Sequence, residues 1–225
     1  MRHKNSGITL IETLIAVMIL SVLALSLYTV FKSGIDAWTK AESRLEIYQN
    51  ARAVLDQLSR ELVGAFVTSG ATGAKFDGTY GGSNDDPDTL VFITDFADSI
   101  YKIRYELDDA DPDNKILKRD YIDYGVTHTP AKDYTNTDYD ESIELVPPTK
   151  GTMVDNIKFT YLAQIDVAPF LDWSSERTEW LGSGATAPAA DSLPEAVKIV
   201  LTLRDANGNQ YPFETIVYLP NSETE

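Results

Sequence analysis

The residues that invite a chemical reading are mostly acidic. Glu12 is the single charge in an apolar run of 24 residues from Ile8 to Phe31, and it stands four residues after Ile8, itself preceded by Gly7. Asp109, Asp111 and Asp113 alternate along the stretch Asp108 to Asn114. Oxygen ligands at positions 1, 3 and 5 open a calcium loop, so these three form a calcium candidate. The pattern is incomplete, with Asn114 rather than Gly at position 6 and Asp120 rather than Glu at position 12. A solvated hairpin turn is the plainer reading, and a solvated loop is equally plain for Asp85-Asp86-Pro87-Asp88. Histidine occurs only at His3 and His128, and cysteine is absent. A His-based relay, thiolate zinc, iron–sulfur ligation and cysteine nucleophiles therefore fall away. No Gly-x-Ser-x-Gly, phosphate loop or zinc pattern occurs. Trp173 and Trp180 suit the anchoring of a long loop or a stacking contact. These residues lead us to expect a structural protein with no resident cofactor rather than an enzyme.

Elements must position these groups, and composition bounds them. The chain of 225 residues suits one domain with an appendage. Its formal charge of −16 argues against a groove that follows a phosphate backbone, so no nucleic-acid partner is expected. Met1 to Gly7 is short, polar and basic. Ile8 to Phe31 as a helix would measure about 36 Å, against a hydrocarbon core of about 30 Å. A carboxylate in such a span costs about 2–3 kcal/mol on insertion scales and marks function by default. Were the chain cut after Gly7, Ile8 would carry a new amine one helical turn from Glu12, and a packed neighbour's amine could neutralise that carboxylate. Two other readings fit: an uncleaved anchor, and a secretory signal cut near Ala24-Leu25-Ser26.

The run Ser6-Gly7-Ile8-Thr9-Leu10-Ile11-Glu12-Thr13-Leu14-Ile15-Ala16 resembles the N-terminus of type IV pilins and of the pseudopilins of type II secretion. The resemblance implies cleavage by a prepilin peptidase between Gly7 and Ile8 and methylation of the Ile8 amine. It also implies that Glu12 pairs with a neighbouring subunit during assembly. Ile8 departs from the family's usual Phe.

No proline occurs between Met1 and Phe76. From Ala41, the apolar residues Leu45, Tyr48, Ala51, Leu55, Leu58, Leu62 and Ala65 recur every three or four positions, which predicts one amphipathic helix face. Glu42, Glu46, Arg52, Asp56, Gln57, Arg60 and Glu61 are expected on the other faces. The helix is predicted to close at Val63-Gly64, with a loop from Thr68 to Gly82. Beyond it, strands are expected over Thr89–Thr94, Ile100–Glu106, Lys115–Tyr121, Ser142–Val146, Val154–Leu162, Val197–Leu203 and Gln210–Leu219. The second and third form a hairpin, and Asn207-Gly208 signals another. Long loops are expected over 122–141 and 166–196.

Met153 to Tyr161, then Trp173, Trp180 and Leu193-Pro-Glu-Ala-Val-Lys-Ile-Val-Leu-Thr-Leu203, resembles the minor pseudopilin J family of type II secretion. Ala53 to Leu62 is similar to the same family. The expected architecture is α+β, a long N-terminal helix packed on an antiparallel, pilin-like sheet head. The expected parts are a leader over 1–7, a transmembrane helix over 8–31, an amphipathic helix over 32–66 and a head over 67–225. The resemblance implies a minor pseudopilin at the pseudopilus tip, anchored once in the inner membrane with its head in the periplasm. Its partners would be the other minor pseudopilins, the major pseudopilin, the prepilin peptidase and inner-membrane lipid. A minor pilin of a type IV or competence pilus, or an anchored or secreted binding domain, remains open.

Overall fold

A computed structural model describes residues 9–67, 76–79, 88–111, 115–125, 134–146, 152–162, 176–177 and 193–219. Among the described residues one helix, α1 (Leu10–Val63), precedes nine strands: β1 (Asp77–Thr79), β2 (Thr89–Phe96), β3 (Ser99–Asp108), β4 (Ile116–Asp123), β5 (Glu141–Glu144), β6 (Thr152–Leu162), β7 (Glu176–Arg177), β8 (Ala196–Asp205) and β9 (Gln210–Tyr218). The chain divides into two compact units, Met1–Leu45 and Glu46–Glu225. In the first, the helix is apolar and every described residue from Thr9 to Glu42 is exposed.

The second unit is α+β. All its strand pairs are antiparallel, in two sheets ordered β1-β2-β3-β4-β5 and β7-β6-β8-β9. The antiparallel head expected from the sequence is thus built as two sheets. β1 falls inside the stretch expected to be loop, and β7 inside the expected 166–196 loop. Both are short strands on sheet edges, too brief to show a period-2 pattern. The β3–β4 hairpin forms as predicted, pairing Tyr101 with Asp123 and Asp108 with Ile116. The β8–β9 hairpin forms around Asn207-Gly208, with Gly208 at φ 82° and the Asp205 carboxylate accepting from the backbone N–H of Asn207 and Asn209. A further hairpin joins β2 to β3 through Ala97 and Asp98, both at positive φ. Such primed turns normally use Asn or Gly, so this one left no signature.

One core joins the helix to both sheets. Ile47, Ala51, Val54, Leu58 and Leu62 of α1 share it with Phe92 and Tyr105 of the first sheet and Phe159 and Leu201 of the second. The buried helix face is thus rotated from the predicted one: Leu45 and Tyr48 are exposed, while Ile47, Val54 and Glu61 are buried. An aromatic series, Tyr161–Phe76–Phe92–Tyr105, crosses the core with centroid spacings of 5.9, 6.0 and 6.3 Å. Gly78 lets this happen. A Cβ there would lie 2.1 Å from the Tyr161 hydroxyl.

Two acids expected in solvent are buried. Asp88 accepts from the Phe159 N–H at 2.8 Å and from Lys158 Nζ at 3.3 Å, pinning the approach to β2 against β6. Glu61 is 1% exposed and meets Arg119 of β4, with Nε to Oε1 at 2.9 Å and a second guanidinium nitrogen to Oε1 at 2.9 Å. The Tyr105 hydroxyl donates to Glu61 Oε2 at 2.5 Å, and Thr94 Oγ1 donates to the Glu61 carbonyl at 2.6 Å. Binary patterning placed Glu61 outside because it prices the acid alone, whereas here the charge enters with its partner.

Removing one member of such a pair leaves the other charge stranded. Glu61→Ala should lower head stability by about 3–5 kcal/mol, read by denaturant unfolding of the full chain in detergent. Replacing Glu61 with Leu and Arg119 with Met together should cost less than Glu61→Ala alone; an equal or larger loss would refute the pairing account.

Burial pushes the Tyr105 hydroxyl well above its ordinary 10.0, and the Glu61 charge pushes the same way. Burial raises Tyr161 likewise, followed by the charges of Asp88 and Asp77. Above pH 10 the unfolded chain releases these protons while the folded chain keeps them, so stability falls as pH rises. The contribution is fully present below pH 10.0 and is lost on the alkaline side. Tyr161→Phe should flatten part of that decline in unfolding midpoints measured from neutral to alkaline pH.

Candidate functional site

The first turn of α1 is built by Thr9, whose carbonyl accepts from the N–H of Glu12 at 3.1 Å and of Thr13 at 3.2 Å. Glu12 stands in that turn, where the positive end of the helix dipole favours a carboxylate. Its side chain is exposed and meets no cation among the described residues. Gly7 and Ile8, the expected cleavage and methylation positions, lie outside the described residues.

Three hydroxyls downstream bond back to the helix itself. Thr13 Oγ1 donates to the Thr9 carbonyl at 3.1 Å, Ser21 Oγ to Val17 at 2.8 Å and Thr29 Oγ1 to Ser26 at 2.7 Å. Such back-bonding is how hydroxyls enter hydrocarbon, where no water is present to accept them. Leu10, Ile11, Leu14, Ile15, Val17 and Met18 present apolar surface around Glu12, each about half exposed or more. The helix is long and apolar enough to cross a membrane, and none of its most apolar window is buried. What distinguishes this segment is one carboxylate, unpaired among the described residues, on an otherwise apolar rod whose Thr13, Ser21 and Thr29 hydroxyls bond back to the helix.

The calcium candidate fares differently. Asp109 and Asp111 lie exposed between β3 and β4, and Asp113 lies outside the described residues. Asp108, beside them, is taken by Lys118 at 2.5 Å. Asp120 is inside β4 and bound to Arg104. Among the described residues no group of three His or acidic side chains is placed to hold a metal ion. His128, Trp173 and Trp180 also lie outside the described residues.

Sequence reasoning missed the buried polar contacts of the head. One signal was available: Arg119 alternates with the core residues Leu117 and Tyr121 on one face of β4, and an inward cation calls for an inward acid.

Comparison with known proteins bears on the N-terminus. Residues 2–28 match the family model described as the prokaryotic N-terminal methylation motif. No curated protein matches the chain. The chain therefore carries the prepilin-type signal of pilins and pseudopilins, and the matched residues include Gly7, Ile8, Glu12 and most of the apolar run.

Proposed function

We propose that the protein is a minor pseudopilin of a type II secretion system, part of the pseudopilus tip that initiates filament assembly for protein export. The observation that carries this reading is Glu12, which meets no cation among the described residues, on an exposed apolar helix inside a segment that matches the methylation motif. In this reading a prepilin peptidase cuts between Gly7 and Ile8 and the Ile8 amine is methylated. The helix stays in the inner membrane with the head in the periplasm. The protein acts as a structural subunit without catalytic residues or a resident cofactor, beside other minor pseudopilins and the major pseudopilin.

The mechanism follows from electrostatics in hydrocarbon. A lone carboxylate in lipid is costly until a cation reaches it. The amine of an adjacent subunit is such a cation, and their attraction is strong where the dielectric is low. Helices that slide past each other find one axial position where the pair closes. Glu12 thereby selects register, while the apolar surface supplies contact without selecting.

The same N-terminal signal also serves minor pilins of type IV and competence pili. Neighbouring genes separate the two settings: a secretin and a secretion ATPase support export, whereas a retraction ATPase with pilus genes supports the pilus.

Mass spectrometry of the mature chain from its native membrane tests the reading. A start at Ile8, with or without a methyl group, is expected. A start at Met1 or near Leu27 would overturn it in favour of an anchored or secreted binding domain. Glu12→Ala should leave the denaturant midpoint of the head unchanged while filament initiation and secretion fall; normal secretion by this variant would remove the role assigned to Glu12.

A further inference from the structure

The face of the first sheet turned away from the core carries a groove of about 640 Å³ between the β3–β4 end and the chain entering β5. Six carboxylates line it: Glu106, Asp108, Asp109, Asp120, Asp140 and Glu141. The lining cations are Arg104 and Lys118, and both are committed. Arg104 binds Asp120 Oδ2 through Nε at 2.9 Å and a second nitrogen at 2.5 Å, reaches Glu106 at 3.2 Å, and lies 4.4 Å over the Tyr139 ring. Lys118 binds Asp108. Among the described residues the groove therefore holds four more negative groups than positive ones.

A second observation is independent of that charge. The Asp120 side chain is only 5% exposed, and both its bonds to Arg104 fall on Oδ2. Oδ1 is buried and has no hydrogen-bond partner among the described residues. A buried carboxylate oxygen without a donor is costly and calls for one. Arg104 holds the other oxygen, Oδ2, and at 35% side-chain exposure Arg104 is itself open to solvent.

We propose that this groove binds a basic side chain, an arginine carried by another protein, with Asp120 as its seat. The incoming guanidinium donates to Asp120 Oδ1 as Arg104 shifts along the Tyr139 ring, so that one carboxylate is shared by two forks. Arginine fits better than lysine because a planar fork reaches a carboxylate beside another guanidinium, whereas a compact ammonium must shed more water. Asp109 and Asp140 at the rim supply steering. This proposal is independent of the membrane helix and of the filament reading.

The test uses the full chain in detergent micelles, titrated with acetyl-Arg-Arg-Arg-amide and followed by NMR. Saturable shifts confined to the amides of 104–108, 118–120 and 139–142 are expected, together with movement of the Asp120 side-chain carboxyl carbon. Asp109→Asn with Asp140→Asn should weaken binding about fivefold, whereas Asp56→Asn with Asp98→Asn, outside the groove, should not. Equal weakening by both pairs, shifts spread over the surface, or a stationary Asp120 carboxyl carbon would overturn the proposal. Calcium chloride moving the same amides at lower concentration than the peptide would overturn it in favour of a metal site.

Discussion

Glu61 is the constraint around which the head is arranged. A carboxylate 1% exposed can persist only if its charge is answered, and Arg119 answers it from β4 while Tyr105 answers from β3. The helix can then present only one face to the first sheet. The same helix turn also receives Thr94 of β2 through its backbone carbonyl. Three neighbouring strands are thus referred to one residue near the end of α1. Hydrophobic burial supplies most of the favourable free energy of folding, but it is non-directional. The ion pair adds direction: rotating the helix by one residue would strand both charges.

The second sheet is tied in by shape as well as by charge. Tyr161 lies against Gly78 so closely that no side chain fits between them, and Phe76 passes the contact on to Phe92 and Tyr105. Asp88 adds a polar clamp by accepting the Phe159 N–H. The outer face of the first sheet is governed differently again. Lys102 donates to the carbonyls of Tyr134 and Asn136 and holds that segment across the sheet, where Ile93, Ile100 and Tyr134 form a small second core. The segment then continues to Tyr139 above Arg104.

Much of this was legible beforehand, and the exceptions share a cause. The helix, the α+β class and the β3–β4 and β8–β9 hairpins follow from periodicity and turn chemistry, which are local. The second sheet, β1 and β7 depend on partners distant in sequence, and three or two residues carry no period of their own. The β2–β3 turn was hidden because Ala97 and Asp98 adopt a backbone that usually advertises itself with Asn or Gly. Glu61 and Asp88 were misplaced because a residue-by-residue hydropathy rule cannot see that Arg119, or the Phe159 N–H, will be waiting. Glu12 stands out by a local signal, one charge in an apolar run.

The hydroxyls of the apolar helix have a consequence of their own. By folding back onto Thr9, Val17 and Ser26, the side chains of Thr13, Ser21 and Thr29 withdraw from any conversation with the outside. To whatever lies alongside in lipid, this helix is nearly blank, like a ruler with a single graduation. Under the proposed pairing, sliding or turning it would change little until that mark is met, and information about position, which a soluble interface spreads over many side chains, would be compressed into one.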